Sequence, residues 1–296
     1  MYLGIDVGGT KIQGAHLRGD DDDVMLTAKL PTPRSYEHLL TALMRIVREA
    51  ADARGEAVTH VGIGLPGTTT ERRVLWMPNL PFLDGKDLAD DLDEQAHAEV
   101  IVGNDAQFAL LGEVWRGAAR ERGNAVLVSI GTGVGGAILM NGKLMRGAHG
   151  SAGAFGWLNL DLQEPPNPNH GYLELYASGS ALDEMGRALH PPLTAYELVA
   201  KARAGDPDCA GIIERLATTL GAAFAAIASI IDPEIIIVSG GLADAFDVFA
   251  APIRASLRGR GSPSVRETPV VVGQLGSYAA AYGALRAAML QRATWE

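Results

Sequence analysis

The stretch LGIDVGGTKIQGAHL, residues 3–17, places one carboxylate, Asp6, just ahead of Gly8 and Gly9, with Thr10 and Lys11 completing the tip. Residues 2–7 and 11–17 are apolar and β-prone, which predicts two strands joined by a glycine tip. Glycines there let backbone N–H groups come close to an anion, at φ values that include the positive range. Asp6 at the strand end suits a hydrated cation beside that anion. The order Gly9-Thr10-Lys11 is not the Gly-Lys-Ser/Thr order of a Walker loop, and residues 12–17 fit a strand better than a helix. An ordinary hairpin turn accounts for the same residues, so this stretch alone does not decide between the two.

The pattern recurs. Residues 126–144, VLVSIGTGVGGAILMNGKL, run as a strand to Ile130, then through Gly131, Thr132, Gly133, Val134, Gly135 and Gly136. A strand is expected over 137–140, closed by the strong turn pair Asn141-Gly142. The glycines match G-x-G-x-x-G, but a hairpin comes next instead of a helix, which excludes a dinucleotide site of the Rossmann kind. A third run, IDPEIIIVSGGLADAF at 231–246, carries a buried strand into Gly240 and Gly241 and then a helix. Backbone lying against a flat ligand such as adenine or ribose explains that pair, and so does a plain strand–helix turn.

The elements that must hold these loops are bounded by composition. A chain of 296 residues with 47% hydrophobic content builds one large domain or two lobes with a substantial core. A net charge of -10 argues against wholesale nucleic-acid binding. The single cysteine, Cys209, excludes an intrachain disulfide and zinc sites built from several cysteines. Asp6 interrupts any signal-peptide core. The most apolar stretch, 216–231, is too short and too rich in small residues to span a bilayer comfortably, and reads as a buried helix. These features lead to the expectation of a soluble, cytoplasmic protein with no membrane partner.

The segments GIDVGGTK (4–11), GIGLPGT (62–68), PNL (78–80), GNDAQFALLGE (103–113), SIGTGVGGAI (129–138), GYLELYASGSAL (171–182) and DPEIIIVSGGL (232–242) occur in an order that resembles the ROK family of bacterial sugar kinases. They cover most of the chain. The resemblance implies an α/β, two-lobed actin-like ATPase (ribonuclease H-like) fold with the active site in the interlobe cleft. It also implies ATP with Mg²⁺. Asp6, Gly8, Gly9, Thr10, Lys11, Gly131, Thr132 and Gly133 would serve the phosphates, with Asp6 meeting Mg²⁺ through water, and Gly240 and Gly241 would border the adenosine. The lobes are expected at 1–107, completed by a C-terminal helix over 281–296, and at 108–280. The acid run 20–23 reads as a solvated turn, and 165–169 as a stiff proline loop.

On that resemblance the chemistry centres on Asp105. Phosphoryl transfer needs a positioned hydroxyl, a carboxylate to accept its proton, and a cation on the phosphates. A strand over 98–103 leads to Asn104 and Asp105, with a helix expected from Ala106. Asp105 is the candidate general base, and Asn104 would bond a neighbouring sugar hydroxyl. A helix N-cap is the other common task for an Asp at such a place. Pro66, Gly67 and Asn79 would supply more of the sugar floor, although the prolines around Asn79 are also ordinary turn chemistry. Glu174 matches a family carboxylate that binds hydroxyls near the anomeric end, against the alternative of a surface helix residue.

The sequence departs from the family at 147–161, GAHGSAGAFGWLNLD, where the usual core is Gly-Glu-x-Gly-His. Ala154 stands at the Glu position and Trp157 at the His position, both of them sugar-binding in most members. The places of the three family zinc cysteines fall on Pro165, Asn167 and Tyr172. No zinc is therefore expected. The substrate is expected to be a hexose, phosphorylated at O6, or a C1/C2-modified sugar, amino sugar or cyclitol. A catalytically silent sugar-binding regulator is the alternative of another class. Regulators of the family carry a helix-turn-helix ahead of the first hairpin, for which a hairpin starting at residue 4 leaves no room. Family habit implies a homodimer.

Overall fold

The computed structural model describes residues 1–19, 23–70 and 72–291. By internal contacts the chain forms two compact units. The first contains Met1–Glu121, Ile138–Ala152 and the chain from Gln274 onward; the second contains Arg122–Ala137 and Gly153–Gly273.

The first unit opens with β1 (Tyr2–Val7), β2 (Lys11–Leu17), β3 (Met25–Leu26) and β4 (Leu30–Pro31). Next come α1 (Tyr36–Arg54), β5 (His60–Leu65), β6 (Thr68–Thr69) and β7 (Val74–Trp76). It continues with α2 (Leu88–Ala96), β8 (Glu99–Asn104) and α3 (Asp105–Arg116). Its main sheet has the order β3-β2-β1-β5-β8, with β4 also on β2. β1 and β2 pair antiparallel across the glycine tip, with Asp6 opposite Gln13. β1, β5 and β8 run parallel, which brings Asp6, Gly64 and Gly103 to one level near their carboxyl ends. Strands buried on both faces read as the near-continuous apolar runs seen here.

The second unit contains β9 (Ala125–Ile130), the opening residues of β10 (Val134–Met140), α4 (Tyr172–Ala177), α5 (Gly179–Arg187) and α6 (Ala195–Arg203). After them come α7 (Pro207–Ile231), β12 (Ile235–Ser239), α8 (Phe246–Arg260) and β13 (Val270–Val272). β10 continues into the 138–152 segment counted with the first unit, where the chain turns at Asn141-Gly142 into β11 (Lys143–Leu144). Both turn residues have positive φ, 51° and 75°, as a tight hairpin requires. β10 begins at Val134, inside the glycine run, and not at 137. α7 begins at Pro207, well before the apolar stretch, because Asp206 caps it by accepting from Asp208 N and Cys209 N. α7 is long and apolar enough to cross a membrane, and 56% of its most apolar window is buried.

The last helix, α9, spans Ala279–Leu290, and Gln291 closes it in the left-handed region. Residues 292–296 of the expected C-terminal helix lie outside the described residues, as do Asp20, Asp21 and Asp22 of the acid run. α9 packs along α3 and across β1 and β5. The approach is backbone to backbone: a Cβ on Gly4 would lie 2.1 Å from Leu285 N, and one on Gly283 would lie 1.6 Å from Phe108 O. α3, which begins at Asp105, is thereby set against the sheet.

This contact predicts opposite signs for two glycine substitutions. Gly283→Ala forces backbone apart and should cost on the order of 1–3 kcal/mol, lowering the thermal midpoint by several degrees. Gly259→Ala in α8, where a Cβ meets nothing within 4 Å, should leave the midpoint unchanged or raise it. Thermal unfolding of both variants checks the pair.

Candidate functional site

In the first unit, β1 delivers Asp6 and the β8–α3 junction delivers Asp105. Asn104, not Asp105, caps α3: its Oδ1 accepts from Gln107 N at 3.0 Å, and Asp105 is the first helical residue. The Asn104 Nδ2 donates to Gly67 O at 3.0 Å. The expected role of Asn104 as a sugar ligand is therefore joined by a structural one that ties the 66–67 turn to the start of α3. Gly67 itself is fixed by shape, since a Cβ there would lie 2.3 Å from Trp76 O. Asn79 is exposed, and its Cβ lies 3.7 Å from where a Cβ on Gly9 would be.

Asp105 keeps part of its surface accessible, yet surrounding protein removes enough water to lift its pKa to about 7. Burial is the main cause; the charge of Asp6 adds to it, and the Ala106 N–H, at 2.7 Å, opposes it. Asp6 is raised to about 6, again chiefly by burial, against the Gln13 amide and the charge of Lys11. Gln13 is fully buried, donates to Asp6 Oδ2 at 3.1 Å, and leaves its own Oε1 without a partner. Gln13 was not among the expected site residues. The hairpin register could have found it, because a tip at 8–11 pairs position 6 with 13.

The tip is fixed by hydrogen bonds. Gly8 N donates to Lys11 O at 2.9 Å, and Thr32 reaches back to Gly8 O and Thr10 O. Neither Gly8 nor Gly9 has positive φ, and neither do Gly131 and Gly133; of the expected nucleotide glycines only Gly240 does, at 82°. The first two tips use glycine for room, not for backbone sign.

In the second unit the other two glycine runs are neighbours, since β9 and β12 pair in parallel up to Ser129 and Ser239. A Cβ on Gly240 would lie 2.5 Å from Ile130 O. Gly131 O accepts from Gly179 N at 2.7 Å, and Gly131 N donates to Gly133 O. Thr132 and Gly241 are exposed. Glu174, on α4, is not a free surface residue. Its Oε2 accepts from Val134 N at 3.1 Å, and a Cβ on Gly133 would lie 2.1 Å from that oxygen. Its Oε1 lies 3.3 Å from His170 Nδ1, in the loop just ahead of α4. Ala154 precedes the short 3₁₀ turn Phe155–Trp157, and Trp157, its last residue, is 54% exposed.

Hard oxygen donors suit Mg²⁺, which takes one or two carboxylates and completes its shell with water and substrate phosphate. Asp6 with the orphaned Gln13 Oε1 beside it fits that habit. Pro165, Asn167, Tyr172 and Trp157 do not offer the thiolate and imidazole set that structural zinc requires. Among the described residues, no group of three or more His, Cys, Asp or Glu could hold a metal.

The sequence matches the ROK family over residues 2–291. An N-acetyl-D-glucosamine kinase of Escherichia coli O127:H6 is 32% identical over 259 residues, 82% of this chain and 85% of that protein. A ROK family glucokinase from Streptomyces griseus, solved in complex with glucose and AMPPNP, superposes with a TM-score of 0.81 at 30% identity, covering 97% of this chain and 99% of that one. The ROK hexokinase of Thermus thermophilus gives 0.83 at 27% identity and 98% of both chains. With carboxylates at strand ends, glycine loops on both sheets and these matches along its length, the chain belongs to the ROK family and is an ATP-dependent carbohydrate kinase of the actin-like ATPase fold.

Proposed function

We propose that this kinase transfers the γ-phosphate of ATP to O6 of a hexose or hexose analogue, with Asp105 as the general base. One observation carries the reading: a carboxylate with pKa raised to about 7 stands where a strand meets a helix, beside a second carboxylate next to a glycine tip. A base with pKa near the working pH balances its strength as a proton acceptor against the fraction of it left deprotonated. The hydroxyl oxygen forms the new P–O bond, its proton passes to Asp105, and the bond from the γ-phosphorus to the bridging oxygen breaks, leaving ADP.

Of the other expected residues, Pro66, Gly67, Asn79 and Asn104 in the first unit, and Glu174, Ala154 and Trp157 in the second, are read as acceptor-binding. The tips at 8–11 and 131–133 hold phosphate through the backbone, and Gly240 and Gly241 border the nucleoside. Asp6 would meet Mg²⁺ through water, and Mg²⁺ would neutralise phosphate charge. The reading includes no zinc, and takes the protein as a cytoplasmic homodimer.

Four outcomes test it. Because Asp105 acts as its carboxylate, kcat/KM should be flat above about pH 7 and fall about tenfold per unit below it. Asp105→Asn should lower kcat by roughly 10²–10⁴ while ATP affinity measured by calorimetry changes little. Wild-type turnover in that variant removes Asp105 from the mechanism. Gly133→Ala should raise the acceptor KM more than Gly9→Ala does, since only the former displaces Glu174. Elemental analysis of the purified protein should find no stoichiometric zinc, while activity requires added Mg²⁺; one tightly bound zinc per chain refutes the zinc-free reading.

A further inference from the structure

Within the second unit, a half-open pocket of about 190 Å³ lies between the Trp157 turn, the proline loop and α4. It is formed where the family's zinc positions fall. Trp157, Pro165 and Tyr172 wall it with rings, and its carboxylate and imidazole are Glu164 and His170. Neither Lys nor Arg lines it among the described residues. His170 is turned toward Glu174 at 3.3 Å, so the pocket adjoins the carboxylate assigned above to the anomeric end of the acceptor.

The charge in this pocket is unbalanced. The Tyr176 hydroxyl donates to Glu164, and this bond, with burial and the nearby carboxylates, pushes that phenol up to about 12. Tyr172, tilted 40° against Tyr176 with ring centroids 4.7 Å apart, is raised by burial and by the charges of Asp161 and Glu164. A hydrogen bond from a phenol leaves the carboxylate its full negative charge. An aromatic wall beside an uncompensated carboxylate favours an organic cation. The π-face and the carboxylate both attract it, and an anion meets repulsion. A neutral acyl group would leave Glu164 without a charge partner, at a cost in desolvation.

We propose that this pocket receives a protonated primary amine at the C1–C2 end of the acceptor, so that the preferred acceptor is a hexose with a free amino group. Glu164 forms the ion pair with the ammonium, and the Trp157 ring covers the C–H face of the sugar. The inference rests on the kinase reading above for the identity of the site, and it narrows the acceptor beyond what the relatives' names suggest.

The test compares D-glucosamine, N-acetyl-D-glucosamine and D-glucose as acceptors at saturating MgATP. In the wild type, kcat/KM for glucosamine should exceed that for the N-acetyl sugar by roughly tenfold or more, through KM. In Glu164→Gln, which keeps the Tyr176 bond, the glucosamine-to-glucose ratio should fall about tenfold; Glu164→Asp should restore part of it. Preference for the N-acetyl sugar, or an unchanged ratio in Glu164→Gln, overturns the proposal. If the wild type phosphorylates none of the three, the kinase reading fails and calorimetric binding decides the pocket. Tighter binding of glucosamine than of both neutral sugars, lost in Glu164→Gln, upholds it, and equal or absent binding overturns it.

Discussion

Two carboxylates held near each other with little water repel, and the first unit is organised around keeping them there. Asp6 and Asp105 stand at the ends of β1 and β8, separated by β5. The helix N-terminus that begins at Asp105 favours its negative charge, as does the Ala106 N–H. Burial and Asp6 outweigh both, which leaves Asp105 near neutrality. Gln13 and Lys11 partly relieve Asp6. Such a pair persists only where the surrounding structure leaves it no freedom to separate. Glycine contacts supply that rigidity, since Gly4, Gly62 and Gly283 let α9 press directly on backbone.

The second unit solves a different problem, that of placing backbone groups with few side chains to do it. Glu174 closes onto Val134 N and fills the space above Gly133. The residue proposed for acceptor hydroxyls is thus bonded to the loop proposed for phosphate. A shift of either moves the other, so donor and acceptor contacts on this unit form one rigid piece. Gly240 pressed against Ile130 O joins the third loop to the same strand end.

Much of this was legible in the residues. The strands at 2–7 and 11–17 follow their apolar pattern, and the Asn141-Gly142 turn follows its chemistry. The start of β10 was obscured by Gly135 and Gly136, which weaken strand propensity although the sheet accepts them. The start of α7 is hidden because the apolar run begins nearly three turns after the Asp206 cap, and helix ends depend on caps more than on hydropathy. Asn104 and Asp105 are both good capping residues, so their division of labour is set by the backbone of β8, not by residue type. Gln13 follows from the hairpin register, whereas the pocket beside Trp157 depends on how a 3₁₀ turn, a loop and α4 meet and has no signature in sequence.

That pocket also bears on how the proline loop is ordered without a cysteine set. Asn159 Oδ1 accepts from Asp161 N, Asp161 Oδ1 from Gln163 N, and Asn167 Oδ1 from Asn169 N and His170 N. These side chains mimic backbone turns, each fixing a bend locally. Pro165, Pro166 and Pro168 reduce the freedom of the unfolded loop. Gly171 then brings the start of α4 against Gly156 and Trp157, where a Cβ would lie 2.1 Å from Gly156 O. Turn chemistry, proline and one close glycine contact therefore hold the 3₁₀ turn and α4 in register. These local bends run along the rim of the pocket, whose lining includes Asn159, Pro165, Pro166, Asn167 and Gly171.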